Sequence, residues 1–128
     1  MTPATVQLPT PAFALYSGTD HVCALLSWEG DGMYCWGRND AGQLGAGHIT
    51  GGRSTQHNSP VKVDFGALKS TRIWDVTLST GSQAGSTCIL HGANKLVMCW
   101  GENKDGQLGY GDRTDRAKPT GENLYFGP

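Results

Sequence analysis

At 128 residues the chain is long enough for one domain, and its formal net charge of −1, with no basic block, lacks the electrostatic footprint of a nucleic-acid binder. No apolar run approaches the ~20 residues of a membrane-spanning helix, and Met1–Gln7 has neither the basic nor the apolar region of a secretory signal. Nineteen glycines, beside 38% hydrophobic and 16% charged residues, fit a turn-rich all-β chain and argue against a helical bundle.

Residues 1–11 hold three of the six prolines and read as an extended lead-in. Strand candidates come next at Phe13–Ser17, Val22–Ser27 and Met33–Trp36, separated by turns at Gly18 and at Glu29–Gly32. His48 to Ser59 is then a stretch of twelve mostly polar residues. Long polar loops are where functional variation concentrates, so His48, Arg53 and His57 are candidate interface residues. Pro60–Gly66 alternates as an edge strand does, with proline at its start where no ladder N–H is lost.

Arg72–Thr80, Thr87–His91 and Leu96–Trp100 repeat the strand pattern, the last two joined by a turn centred on Ala93-Asn94. The lead-in to this second set lacks a counterpart of His21. Its polar connection, Asp112–Lys118, takes only seven residues before Pro119. The tail Glu122–Phe126 resembles a protease-site tag, but Gly127 stands where Gln would come. Pro119…Phe126-Gly127 also answers to Pro60…Phe65-Gly66, which makes a native tail the expected reading.

One window organises all of this. Cys35-Trp36-Gly37-x-Asn39-x-x-Gly42-Gln43-Leu44-Gly45-x-Gly47 recurs as Cys99-Trp100-Gly101-x-Asn103-x-x-Gly106-Gln107-Leu108-Gly109-x-Gly111, an offset of 64 with nine identities in thirteen positions. Such self-similarity marks a repeat architecture. The apolar, aromatic-ended runs suit a half-buried strand, and Asn and Gly then turn the chain. Leu44 and Leu108 are single apolar anchors between glycines, and the two tryptophans are expected at contacts between units.

The window resembles the core of the regulator of chromosome condensation type repeat, and Gly18-x-x-His21-x-Cys23-Ala24-Leu25 resembles that repeat's lead-in. The resemblance covers most of residues 12–128. It implies an all-β fold of propeller-blade-like antiparallel sheets, an open part of a β-propeller, with one blade over 12–66 and a second over 67–128. It also implies a ring of seven blades in full-length members, of which two repeats supply only a part. Two blades leave two apolar outer faces and unpaired strand edges, and repeat arrays generally need three or more units.

No chemistry-bearing motif competes with this. The run Gly42–Gly47 lacks the Gly-Lys-Ser/Thr ending and the helix of a phosphate cradle. His48 and His57 share the long loop but have no carboxylate or cysteine beside them at ligand spacing. His21 in the repeat lead-in reads as a hydrogen-bonded structural residue, and no nucleophile elbow frames a serine. The expectation is a non-enzyme without cofactor, metal or small-molecule substrate. Cys23, Cys35, Cys88 and Cys99 are expected as buried free thiols. If any pair bridges, it is Cys88–Cys99, because an extra residue in the first hairpin would set Leu26 rather than Cys23 opposite Cys35.

Two functional readings are open. The first is a scaffold or protein-interaction module, a small accessory subunit packing on other protein subunits, with an organellar or photosynthetic assembly among the candidates. The second is a fragment of a full-length propeller regulator, a guanine-nucleotide exchange factor or ubiquitin-pathway module.

Overall fold

The structure, a computed structural model, describes residues 6–49, 56–80 and 85–119. Its strands are β1 (Ala14–Ser17), β2 (His21–Leu25), β3 (Met33–Arg38), β4 (Gln56–Lys62), β5 (Ile73–Leu78), β6 (Ser86–His91) and β7 (Leu96–Gly101). They form two antiparallel sheets, ordered β1-β2-β3-β4 and β5-β6-β7. Among the described residues the only helical elements are 3₁₀ turns at Gly30–Gly32 and Gly66–Leu68. A single bridge between Gly101 and Arg116 stands where the first sheet pairs Gly37 with His57.

The sheets meet face to face, and the period-2 alternation of a strand decides what each contributes. The first turns Cys23, Leu25, Met33 and Cys35 inward, joined by Leu44, Val63 and Phe65 from its loops. The second answers with Ile73, Val76, Leu78, Ile89, Met98 and Trp100. Ile73 and Val76 reach the same side, three residues apart, because β5 shifts register between Ile73 and Asp75. An extra residue in one strand re-aims every side chain beyond it.

Several expectations are corrected. Both cysteine pairs are disulfides, Cys23–Cys35 and Cys88–Cys99, each with Cα atoms 4.1 Å apart. The first hairpin does not close on a tight two-residue turn. Its loop contains the 3₁₀ turn and is tied by Leu26 N–H to the Gly32 carbonyl at 2.8 Å, which restores Cys23 opposite Cys35. In the second hairpin the Ala93-Asn94 turn sets Cys88 opposite Cys99 as expected.

Pro60 lies inside β4, not at a strand start, and Gln56–Ser59 belong to that strand, which shortens the polar loop. Proline is tolerated there because the β3–β4 register shifts between Cys35 and Gly37, whose partners are Val61 and His57. Pro60 sits in that gap, where its missing N–H breaks no ladder bond.

Candidate interaction surfaces

The repeated window folds as a loop wired by its own polar side chains. Asn39 accepts the Leu44 N–H on Oδ1 at 3.2 Å and donates from Nδ2 to the His48 carbonyl at 3.0 Å. Gln43 Oε1 accepts the Ala41 N–H at 2.9 Å. Asn103 does the same for Leu108 at 3.0 Å and Asp112 at 3.2 Å, and Gln107 Oε1 accepts the Asp105 N–H at 3.0 Å. Satisfying backbone groups by side chains lets each loop bury one leucine: Leu44 joins the core between the sheets, and Leu108 is buried as well. Gly42, Gly45, Gly47 and their counterparts Gly106, Gly109, Gly111 all have positive φ.

At the seam between the sheets the two loops part company. Trp100 is 0% exposed, donates from Nε1 to the Gln43 carbonyl at 3.2 Å, and meets Phe65 edge to face. A Cβ on Gly45 would lie 2.5 Å from Trp100 Nε1, and one on Gly42 would lie 2.6 Å from the Ala117 Cα. Only glycine leaves that seat open. The same Gln43 carbonyl accepts the Thr87 hydroxyl at 2.7 Å, and Thr87 Oγ1 lies 2.9 Å from His21 Nε2. Since the Thr87 hydrogen is committed to Gln43, His21 donates from Nε2–H. Burial pushes the His21 pKa down to about 4, with neighbouring Asp20 opposing the shift.

Each sheet has a second, outward face. On the first, Leu15 is 67% exposed, and Val22, Tyr34 and Trp36 are half-buried. Trp36 occupies the position of Trp100 but among the described residues no sheet packs against it, so there only Trp100 of the two expected inter-unit tryptophans makes that contact. On the second sheet, Asp75, Thr77, Cys88, Leu90 and Val97 rim an open hollow of about 140 Å³. The second loop is uncovered as well. Gln107 and Gly109 are exposed where Gln43 and Gly45 are buried, and a Cβ on Gly111 would meet nothing within 4 Å.

Two clusters escaped sequence reasoning. On the solvent side of the seam Arg72 stands over Trp28 and Trp74, its Cζ 5.1 and 4.5 Å from the ring centroids, with Lys95 Nζ 5.0 Å from Trp74. The only available hint was that these two tryptophans fall outside the repeated window. Buried Arg38 forks onto Asp40 through two 2.7 Å hydrogen bonds and reaches Asp20 at 3.1 Å. Burial works to raise the Asp40 pKa, but the Arg38 fork and the Gln43 amide hold it below the usual carboxylate range.

Of the candidate interface residues, His48 is exposed and anchored through its carbonyl to Asn39. Arg53, the His57 side chain and the tail from residue 120 lie outside the described residues. Among the described residues no three His, Cys, Asp or Glu side chains cluster to hold a metal, and no helix is long and apolar enough to cross a membrane.

Two antiparallel sheets stacked face to face, each continuing into the same loop, with the tryptophan of the second seated on the loop of the first, define an open pair of β-propeller blades. The model of the regulator of chromosome condensation (RCC1) repeat matches residues 31–81, so the chain carries a repeat of that type. It is 34% identical over 103 residues to a Protein RCC2 homolog of Xenopus laevis, covering 80% of this chain and 18% of that protein. It is 31% identical over 111 residues to the ultraviolet-B receptor UVR8 of Arabidopsis thaliana, covering 87% and 22%. A secretion-regulating guanine nucleotide exchange factor of Bos taurus is 38% identical over 96 residues, covering 75% and 17%. The chain thus spans about a fifth of these curated relatives. Among solved structures, human WBSCR16 superimposes with a TM-score of 0.68 at 21% identity, covering 94% of this chain and 27% of that one. Prp20p of Saccharomyces cerevisiae gives 0.65 at 20%, covering 94% and 27%.

Proposed function

We propose that this chain is a non-catalytic protein-interaction module whose two blades, 12–66 and 67–128, come after an extended segment at 1–11 and pack through their outer faces and loops on other protein subunits. One observation carries the reading: Trp36 is only partly buried at the position where Trp100 is fully covered by a neighbouring blade. Contiguous apolar surface of this kind marks interaction sites. Prp20p, whose fold this chain shares, has binding properties towards Gsp1p and histones, which supports a protein rather than a small-molecule partner. The test is the mass of the native particle containing the chain, with chemical cross-links mapped to positions 36 and 90. Partners cross-linked at either face support the proposal, and a free chain with both faces unmodified by any protein overturns it.

A second reading is favoured by the share of the relatives' length that the chain covers. The pair of blades then works inside a longer propeller regulator, of the class to which the bovine exchange factor belongs. Five further repeats in the same reading frame would decide for it.

A further inference from the structure

We infer that the two open faces are complementary to each other, so that a second copy of this chain docks head to tail, Trp36 of one copy seating on the Gln107–Gly109 loop of the next. The inference rests on the reading of those faces as protein-docking surfaces. Its template is the seam already present within the chain.

There, Trp100 enters the Gln43–Gly45 loop and donates to the Gln43 carbonyl. Both halves of that contact recur at the open ends. Trp36 holds the Trp100 position in its own sheet, coming after Cys35 as Trp100 comes after Cys99 and facing Val22 as Trp100 faces Thr87. At the other end, Asn103 and Gln107 wire the loop with the same hydrogen bonds as Asn39 and Gln43. Gly109 holds φ +83° where Gly45 holds +72°, so the glycine at the centre of the seat has the same left-handed backbone. Exposure agrees, since Gln107 and Gly109 are exposed where Gln43 and Gly45 are buried, and Trp36 is half-buried where Trp100 is fully buried. The hollow beside Leu90 and Val97 lies where Leu25 and Met33 of the first blade receive the second.

The copy-to-copy seam lacks the polar relay of the internal one at both of its ends. The second blade has no counterpart of His21, and Val22 stands where Thr87 stands, so the hydroxyl relay to the loop carbonyl is missing. That makes the intermolecular contact weaker than the internal one and its assembly reversible. The contact is heterologous, and heterologous contacts close into rings or run on as filaments. Because each copy brings two blades, a closed ring of the usual four to eight blades holds two, three or four copies.

The test uses the 128-residue chain with its disulfides intact. Sedimentation is measured for the wild type, for Trp36→Glu, which blocks one end, for Val97→Asp, which blocks the other, and for an equimolar mixture of the two variants. The wild type should associate as concentration rises, and each variant should weaken association tenfold or more. The mixture should recover a one-to-one dimer that grows no further, because each variant keeps one intact end. Full association of either variant alone overturns the proposal.

Should a variant fail to fold, a photoactivatable residue at exposed Leu15, in a mixture of labelled and unlabelled copies, replaces it. Cross-links from position 15 to the Leu90–Val97 face of another copy support head-to-tail docking, and cross-links between two positions 15 overturn it. A wild type that stays monomeric also overturns it. The docking reading then survives only if the same probe captures one defined protein of another kind in cells.

Discussion

Trp100 donates its indole N–H to the backbone carbonyl of Gln43 at 3.2 Å, 57 residues away in the chain, and this contact joins the two blades at their most buried point. The Gly45 seat makes it sterically exclusive. Gly45→Ala should therefore cost more than Gly109→Ala, although both positions have positive φ. The left-handed backbone costs about 1–2 kcal/mol at either site, and forcing Trp100 out of its seat adds about 1–3 kcal/mol at Gly45 alone. Urea unfolding of the two variants checks the difference. Equal losses would mean that Trp100 relaxes away freely.

The His21 relay sets a pH dependence. His21 is buried neutral with a pKa of about 4, below the ordinary 6.5, so between these values the unfolded chain binds a proton that the folded one does not. Stability is therefore full above pH 6.5 and falls as pH drops towards 4, by about 3 kcal/mol at most. His21→Gln should lower stability at pH 7 and flatten the slope between pH 6.5 and 4. A slope unchanged by that substitution would place the acid sensitivity elsewhere.

Both cystines should be visible in the intact mass, with no group added by alkylation without reductant. The Cys23–Cys35 pair lies in the seam and is fully buried, whereas Cys88 faces the open side and is half-buried. Graded reduction should open Cys88–Cys99 first. Each bridge closes a short loop, 12 and 11 residues in span, and its loss should cost about 3 kcal/mol. Simultaneous opening at low reductant would mean that the seam gives no protection.

What the sequence disclosed was the part decided locally. The Asn39 and Asn103 loops close on themselves within nine residues, so the spacing that builds them is also the spacing that repeats. The unequal fates of Trp36 and Trp100 were hidden, because their windows are alike and only a neighbouring sheet distinguishes them. The first cystine was hidden by the Leu26–Gly32 loop, whose 3₁₀ turn takes up residues that a tight turn would have pushed into the strands. The Arg72 cluster was invisible for a related reason, since it gathers residues 28, 72, 74 and 95 from both blades.

That cluster gives the last prediction. The hairpin loop of the first blade pairs with the segment entering β5, through a Glu29–Arg72 bridge and the Ile73 N–H to the Trp28 carbonyl at 2.6 Å. Arg72 leans over an indole from each blade, while Phe13 packs on the first blade's ring, Trp28, at 4.5 Å. The rings are well exposed, Trp28 by 44% and Trp74 by 39%, so each cation–π contact is of the weaker, solvated kind, about 0.5–1 kcal/mol. Arg72→Ala should then destabilise the pair of blades by about 1–2 kcal/mol. A double-mutant cycle of Arg72→Ala with Trp28→Ala should return a coupling of about 0.5–1 kcal/mol, and Arg72→Lys should keep part of it, since an ammonium retains the charge but not the planar stack. Additive losses would mean that the guanidinium merely covers the rings and does not fasten one blade to the next.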